Sequence, residues 1–314
     1  MTLESRLTSR REILRAGVAT GLMASLPATV RGQDAGQPAE VITRPIPSSG
    51  EPIPVSGLGT NQFGRADYDA VKNVLARMHE MGGRVIDTAA GYGASEEVIG
   101  RALSELNLSN EMFIATKFNA PGGRGLGGLE SIERSFERLQ MDSVDLMFIH
   151  SINSVEPMMS ELIALKESGR ARYIGITTVS RQSHPQVMQY MREYPIDFIQ
   201  IDYSLGNRAA ATDVFPLAIE RDIAVMLAVP FRAGRSSLFS LAGDRELPEW
   251  SEEIGATTWA QVFLKYCVSH PAVTCAIPGT DDVSHVEDNQ LAGYGTLPDA
   301  AMRRRIEEYW DQIA

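Results

Sequence analysis

Three short apolar runs in this chain each stop at an ionisable residue. "RVIDTAAGY" sets Asp87 after Val85 and Ile86, "ATKFNA" sets Lys117 after Ala115 and Thr116, and "DLMFIH" sets His150 after Leu146–Ile149. Tyr92 follows Asp87 by five residues. Brought together, a tyrosine, a lysine, an aspartate and a histidine suit proton transfer to a carbonyl oxygen. A free phenol has a pKa of about 10, too high for an efficient acid near neutrality. A nearby ammonium would stabilise the phenolate and lower that value. The aspartate would keep the lysine charged and in place, and the histidine would hydrogen-bond and orient the carbonyl. A hydride donor must complete such a site. Taken singly, each residue also has a plainer reading: a turn-capping Asp, a solvated Lys, a hydrogen-bonded core His, a Tyr anchoring a glycine loop.

The elements that carry these residues alternate. "VSGLGT", "RVIDT", "MFIATK", "VDLMFIH", "ARYIGIT", "DFIQIDY", "AVMLAV" and "TCAIPG" read as strands. They are short, apolar and rich in β-branched residues, as in a parallel sheet buried on both faces. Helices are expected between them, over 67–81, 129–139, 158–168, 185–194, 210–221 and 257–268, with further helices at the end of the chain. Ser95 is the expected N-cap of another, running to Leu106, with Glu96 and Glu97 in its first turn. Eightfold β/α alternation over some 260 residues has the size of a (β/α)8 TIM barrel, whose active site lies at the C-terminal strand ends. Asp87, Lys117 and His150 close the second, third and fourth strands, so all three would face one mouth. The rival is a doubly wound sheet, because "GRGLGG" (Gly123–Gly128) matches G-x-G-x-x-G. That motif wants an acidic residue at the end of the next strand. Asp145 stands at its start instead, and a βα loop is the better reading.

The ordered pieces "GLGT" (Gly57–Thr60), "IDTAAGYGASEEVIGRAL" (Ile86–Leu103), "TKF" (Thr116–Phe118), "DLMFIH" (Asp145–His150), "YIGIT" (Tyr173–Thr177), "FIQIDYS" (Phe198–Ser204) and "AIPGT…VEDN" (Ala276–Asn289) resemble the aldo-keto reductases. The resemblance spans residues 41–314. It implies a barrel binding NADP(H), favoured over NAD(H), and a tetrad of Asp87, Tyr92, Lys117 and His150 with Tyr92 as general acid. It places Gln200, Thr177 and Thr178 at the nicotinamide carboxamide, and Pro230 and Phe231 at the end of strand seven. Gly279, Thr280, His285, Asp288 and Asn289 fall along the segment that meets the far end of the cofactor.

The chain departs from the family pattern in three places. Thr177-Thr178 stands where Ser-Asn is usual. Ala228 stands where many members carry a tyrosine that stacks on the nicotinamide, a face worth about 1 kcal/mol, unless Phe231 substitutes. Gly279 and His285 stand where Lys and Arg usually meet the 2′-phosphate, and Asp281 and Asp282 add negative charge there. Arg232 and Arg235 are candidate replacement cations.

The N-terminus differs from the rest. "SRREILR" (Ser9–Arg15) precedes the small, apolar stretch Ala16–Leu26 and resembles a twin-arginine (Tat) signal, which is an address and not an anchor. Residues 1–35 are therefore expected to be a signal and cleavage region, 36–52 a linker or hairpin, and 53–314 the barrel. The chain would be handed folded to the Tat translocase and work in the periplasm. A net charge of −11 argues against nucleic acid as a partner, and no apolar run is long enough for a stable membrane anchor. Two cysteines, Cys267 and Cys275, lack metal-site spacing, and His79, His184, His270 and His285 read as structural, so no metal is expected. Function then reduces to an exported reductase of small-molecule aldehydes or ketones. The alternatives are a non-catalytic cofactor- or partner-binding barrel, and a closed-cycle redox enzyme with tightly held cofactor. Trp250 and Trp259 are candidate pocket residues, with barrel packing at least as good a reading.

Overall fold

The computed structural model describes residues 40–122, 127–232 and 237–314. Strands β1 (Thr43–Pro45) and β2 (Pro52–Pro54) pair antiparallel as a hairpin. The strands β3 (Leu58–Gly59), β4 (Val85–Asp87), β5 (Phe113–Phe118), β6 (Val144–Ile149), β7 (Ala171–Thr178), β8 (Phe198–Asp202), β9 (Ala224–Ala228) and β10 (Val273–Ala276) then lie side by side in chain order. Every neighbouring pair is parallel. Single parallel bridges, Ser56 to Ala276 and Gly59 to Gly279, join the first of these to the last. The result is the expected (β/α)8 barrel.

Side chains of a strand alternate between faces, and this divides the core into two layers. Val85, Phe113, Ala115, Leu146, Phe148, Tyr173, Phe198, Ala224 and Met226 fill the barrel interior. Ile46 and Ile53 of the hairpin join that cluster, and the Tyr173 hydroxyl bonds Ser49 Oγ at 2.7 Å and Glu51 Oε2 at 2.6 Å. The expected hairpin thus stops the N-terminal end of the barrel. Gly175 lets the interior close: a Cβ there would stand 2.5 Å from Phe198 O and 2.6 Å from the Phe148 ring. Outward-facing Ile86, Ile114, Met147, Ile174 and Ile199 meet the helices in the second layer.

The helices follow the apolar pattern, with two corrections. The single helix expected over 210–221 is two, Ala209–Asp213 and Phe215–Glu220. Pro216 has no N–H to continue the ladder, so the chain breaks at Val214. Ser95 is not an N-cap. It is the first residue of helix Ser95–Leu106, Ala94 precedes it, and no side chain caps that end.

Candidate active site

The alternation that turns Ala115 and Phe148 inward also turns Lys117 and His150 inward, one layer nearer the C-terminal ends of the strands. Lys117 is 0% exposed and Asp87 2% exposed, so neither charge has water to stabilise it. They stabilise each other. Lys117 Nζ donates to Asp87 Oδ2 at 2.6 Å and to Thr88 O at 2.7 Å. Gln200 Nε2 donates to Asp87 Oδ1 at 2.7 Å, and Thr177 Oγ1 donates to Gln200 Oε1 at 3.1 Å. Burial pushes the Asp87 carboxyl up and the Lys117 ammonium down from their ordinary values, and mutual attraction opposes both shifts. Removing either partner would leave a buried charge unpaired.

Tyr92 stands over this pair. Lys117 Nζ lies 5.2 Å from the centroid of its ring, and the His150 ring meets it edge-on at 5.5 Å. The expected lowering of the phenol is not found. Burial, and then the Asp87 carboxylate, raise the Tyr92 pKa above its usual value. The hydroxyl is therefore held in its protonated, donating form. Burial first, and then the Lys117 charge, bring His150 down to about 4, so its imidazole is neutral at neutral pH and can donate one N–H.

Asp87, Tyr92 and His150 line a cavity of about 340 Å³ together with Asn61, Thr177, Thr178, Gln200, Ala228 and Gly279, and Lys117 lies buried behind them. Ala228 stands at the end of β9, beside the site, with no ring on that strand end. The next residue, Val229, has φ 45°, a left-handed conformation that a β-branched side chain rarely takes. Gly279 also borders a second cavity, of about 470 Å³, walled by Phe231, Phe239 and Trp259 and edged by Thr280, His285, Asp288 and Asn289. Thr280 Oγ1 and His285 Nδ1 are 3.3 Å apart. The Asp288 carboxylate accepts from Thr258 Oγ1 at 2.8 Å and from Gln261 Nε2 at 2.7 Å, so helix Trp259–Val268 holds it. Asp282 is an N-cap, accepting from Ser284 N and His285 N.

The residues expected around a cofactor thus divide between two adjoining cavities, except Pro230, which is buried and lines neither. Arg232 is engaged, donating to Gly206 O at 2.5 Å, and Arg235 lies outside the described residues, as does most of the Gly123–Gly128 motif. Trp259 lines the second cavity, whereas Trp250 is buried against Tyr309. His184 is buried against Asp213 Oδ2 at 3.2 Å, and His270 packs on Tyr203 and Phe215. Both thiols are fully buried, and burial pushes Cys267 up to about 12 and Cys275 higher still. Trp259 is thus a wall residue as expected, and Phe239 is the ring that sequence reasoning missed. The one signal, aromatic residues just after strand seven and at a helix start, is shared with ordinary core positions.

The site thus sets a buried ion pair beneath a half-buried tyrosine in a barrel mouth, and comparison with other proteins gives its class. Residues 57–310 match the model of the aldo/keto reductase family, so the chain belongs to that family of oxidoreductase enzymes. Among curated relatives, L-galactose dehydrogenase of Arabidopsis thaliana is 27% identical, covering 79% of this chain and 87% of its own length. An aldo-keto reductase [NADP(+)] of Schizosaccharomyces pombe is 29% identical over 80% of this chain and 87% of its own. In solved structures, an aldo-keto reductase of Bacillus halodurans in its holo form superposes with a TM-score of 0.69 at 23% identity, covering 86% of this chain and 96% of that one. At that identity the likeness is one of fold.

Proposed function

We propose that this chain is an exported reductase of aldehydes or ketones that uses NADP(H), with Tyr92 as its general acid. The observation that carries the reading is one cavity bordered by Tyr92, His150 and Asp87, with Lys117 buried behind it and bonded to Asp87. The residues fit the cofactor. Amide and hydroxyl groups of Gln200, Thr177 and Thr178 suit a carboxamide at one end. The rings of Phe231 and Trp259 suit a planar base at the other, and Thr280 and His285 suit a phosphate there. NADPH, when bound, supplies the hydride. A relative from fission yeast carries NADP(+) in its name, and an aldo-keto reductase of Klebsiella pneumoniae has been solved with NADPH.

The chain's own residues would handle the proton. The neutral His150 donates a hydrogen bond to the substrate carbonyl oxygen and orients it. Tyr92 gives its hydroxyl proton to that oxygen as negative charge develops on it. The phenolate left behind lies beside the Lys117 ammonium, whose position Asp87 and Thr88 O fix. Solvent returns the proton. The substrate is a small carbonyl compound.

The test is turnover of NADPH by the full-length chain with methylglyoxal and 4-nitrobenzaldehyde, with Tyr92→Phe in parallel. Consumption that depends on aldehyde and is lost with the phenol supports the reading; none with either aldehyde overturns it. Export by the Tat translocase to the periplasm is supported by Ser9–Arg15 followed by Ala16–Leu26, within residues 1–39 that lie outside the described ones. Arg10→Lys with Arg11→Lys would then leave the protein in the cytoplasmic fraction; unchanged distribution would refute the address.

A further inference from the structure

We propose that Ser95, with Thr60 and Thr88, forms a buried hydroxyl clasp that positions Tyr92. The inference rests on the reading of Tyr92 as the acid. Thr88 and Ser95 bracket the loop that carries Tyr92, and their hydroxyls are 2.9 Å apart. Ser95 Oγ also reaches Thr60 Oγ1 at 3.0 Å and Thr60 O at 3.1 Å. Thr60 Oγ1 donates to Asp87 O at 2.9 Å. All three residues are 0% exposed.

Each hydroxyl has one proton to give. A single directed chain uses all three: Thr88 to Ser95, Ser95 to Thr60, Thr60 to the Asp87 carbonyl. Simple packing needs no such arrangement, since apolar residues of similar size would fill the space without the cost of burying polar groups. Nor does Ser95 serve its own helix, whose N-terminus has no side-chain cap. The chain's effect is to close the loop at its base.

Five more hydrogen bonds hold the loop. Thr88 N bonds Ala115 O at 2.9 Å and Ala90 N bonds Lys117 O at 3.1 Å, so the loop is tied to β5 at and beside Lys117. Thr88 O accepts from Lys117 Nζ. Tyr92 N bonds Ala89 O, and Tyr92 O accepts from Ser95 N at 3.2 Å. That carbonyl also lies against Gly64, where a Cβ would come within 2.3 Å of it. The same clasp therefore sets the Tyr92 backbone and the carbonyl that orients Lys117. Ser95, Thr60 and Thr88 act through Tyr92 and Lys117 and are positioning residues.

The test uses the full-length chain with Ser95→Ala and, separately, Thr88→Val, which keeps the shape and leaves Ser95 able to donate to Thr60. Steady-state kcat with 4-nitrobenzaldehyde, NADPH dissociation constant by nicotinamide fluorescence, and melting temperature are measured for each. A misplaced catalytic group can cost roughly 100-fold in rate. The expected result is kcat lower by roughly 10- to 100-fold for Ser95→Ala, a smaller loss for Thr88→Val, and an unchanged NADPH constant in both. Should Ser95→Ala fail to fold, Thr88→Val carries the test alone. Wild-type kcat in either folded variant, or a parallel loss of NADPH binding, overturns the proposal. Tyr92→Phe separates the two ideas: if it retains full turnover, the acid reading fails; if it is inactive while both clasp variants are wild-type, only the clasp fails.

Discussion

The two cavities that meet at Gly279 are built in opposite ways. The first is made of strand-end side chains bonded to one another: Asp87 to Lys117 and Gln200, and Gln200 to Thr177. Its geometry is fixed by the sheet, and these four side chains are already paired. The second is walled by rings from helix and loop, Trp259, Phe231 and Phe239, with His285 as the one basic side chain among its lining residues within the described chain. A bonded, charged site beside an aromatic one separates two tasks. Changes at Tyr92, Lys117 or His150 in the first should alter the chemical step, and changes in the second should alter binding.

The sharpest way to break that division is Tyr92→Phe. It should lower kcat by roughly 100- to 10,000-fold and leave the NADPH dissociation constant unchanged, as read by steady-state kinetics and fluorescence titration. Lys117→Met should also abolish turnover, and in addition leave the Asp87 carboxylate buried without its cation. Breaking a buried pair on one side costs about 3–5 kcal/mol, which urea denaturation would register. In the second cavity, His285→Arg should tighten NADPH about tenfold through a charge-assisted hydrogen bond and leave NADH unaffected. Calorimetric titration with both cofactors checks it, and equal gains for the two would show that the side chain does not meet the 2′-phosphate. The smallest effect is the pH response of His150. With its pKa brought down to about 4, the imidazole stays neutral through pH 5 and above. Its protonation would remove activity only as pH falls through about 4, so a pH–rate profile should change less than about twofold between pH 5.5 and 8. A limb centred near 6.5 would contradict the burial of that ring.

The first cavity was far more legible in the sequence than the second. Strand-end Asp87, Lys117 and His150 announce themselves because a period of two continues from an apolar interior into ionisable residues. The barrel follows from the count of alternating elements, and Gln200 and Thr177 from the family motifs. Burial was harder to foresee. An ammonium near Tyr92 argues for a lowered phenol pKa, but the depth of the site outweighs it and the shift runs the other way. Ser95 was misread for a similar reason. Its local preference is to cap a helix, and tertiary contact with Thr60 and Thr88 overrides it. Pro216 did carry a readable signal for the break at Val214, one that the apolar periodicity on either side obscured. Of the aromatic wall, Phe231 and Trp259 are legible as candidates, but Phe239 is not, because its role comes from where its short helix lies in space.

The closure of the barrel has a consequence for how the molecule is made. Its seam consists of two bridges, Ser56 to Ala276 and Gly59 to Gly279, which join segments from opposite ends of the described chain. During synthesis the first strand of the barrel must wait for nearly the whole polypeptide to leave the ribosome before it finds its neighbour. Contacts so distant in sequence form slowly. Gly279 is also the threshold between the two cavities, so a nascent chain can own Tyr92, Lys117 and His150 and still lack a complete site. Capture of a dinucleotide across that threshold is then a late event, open only to the finished chain.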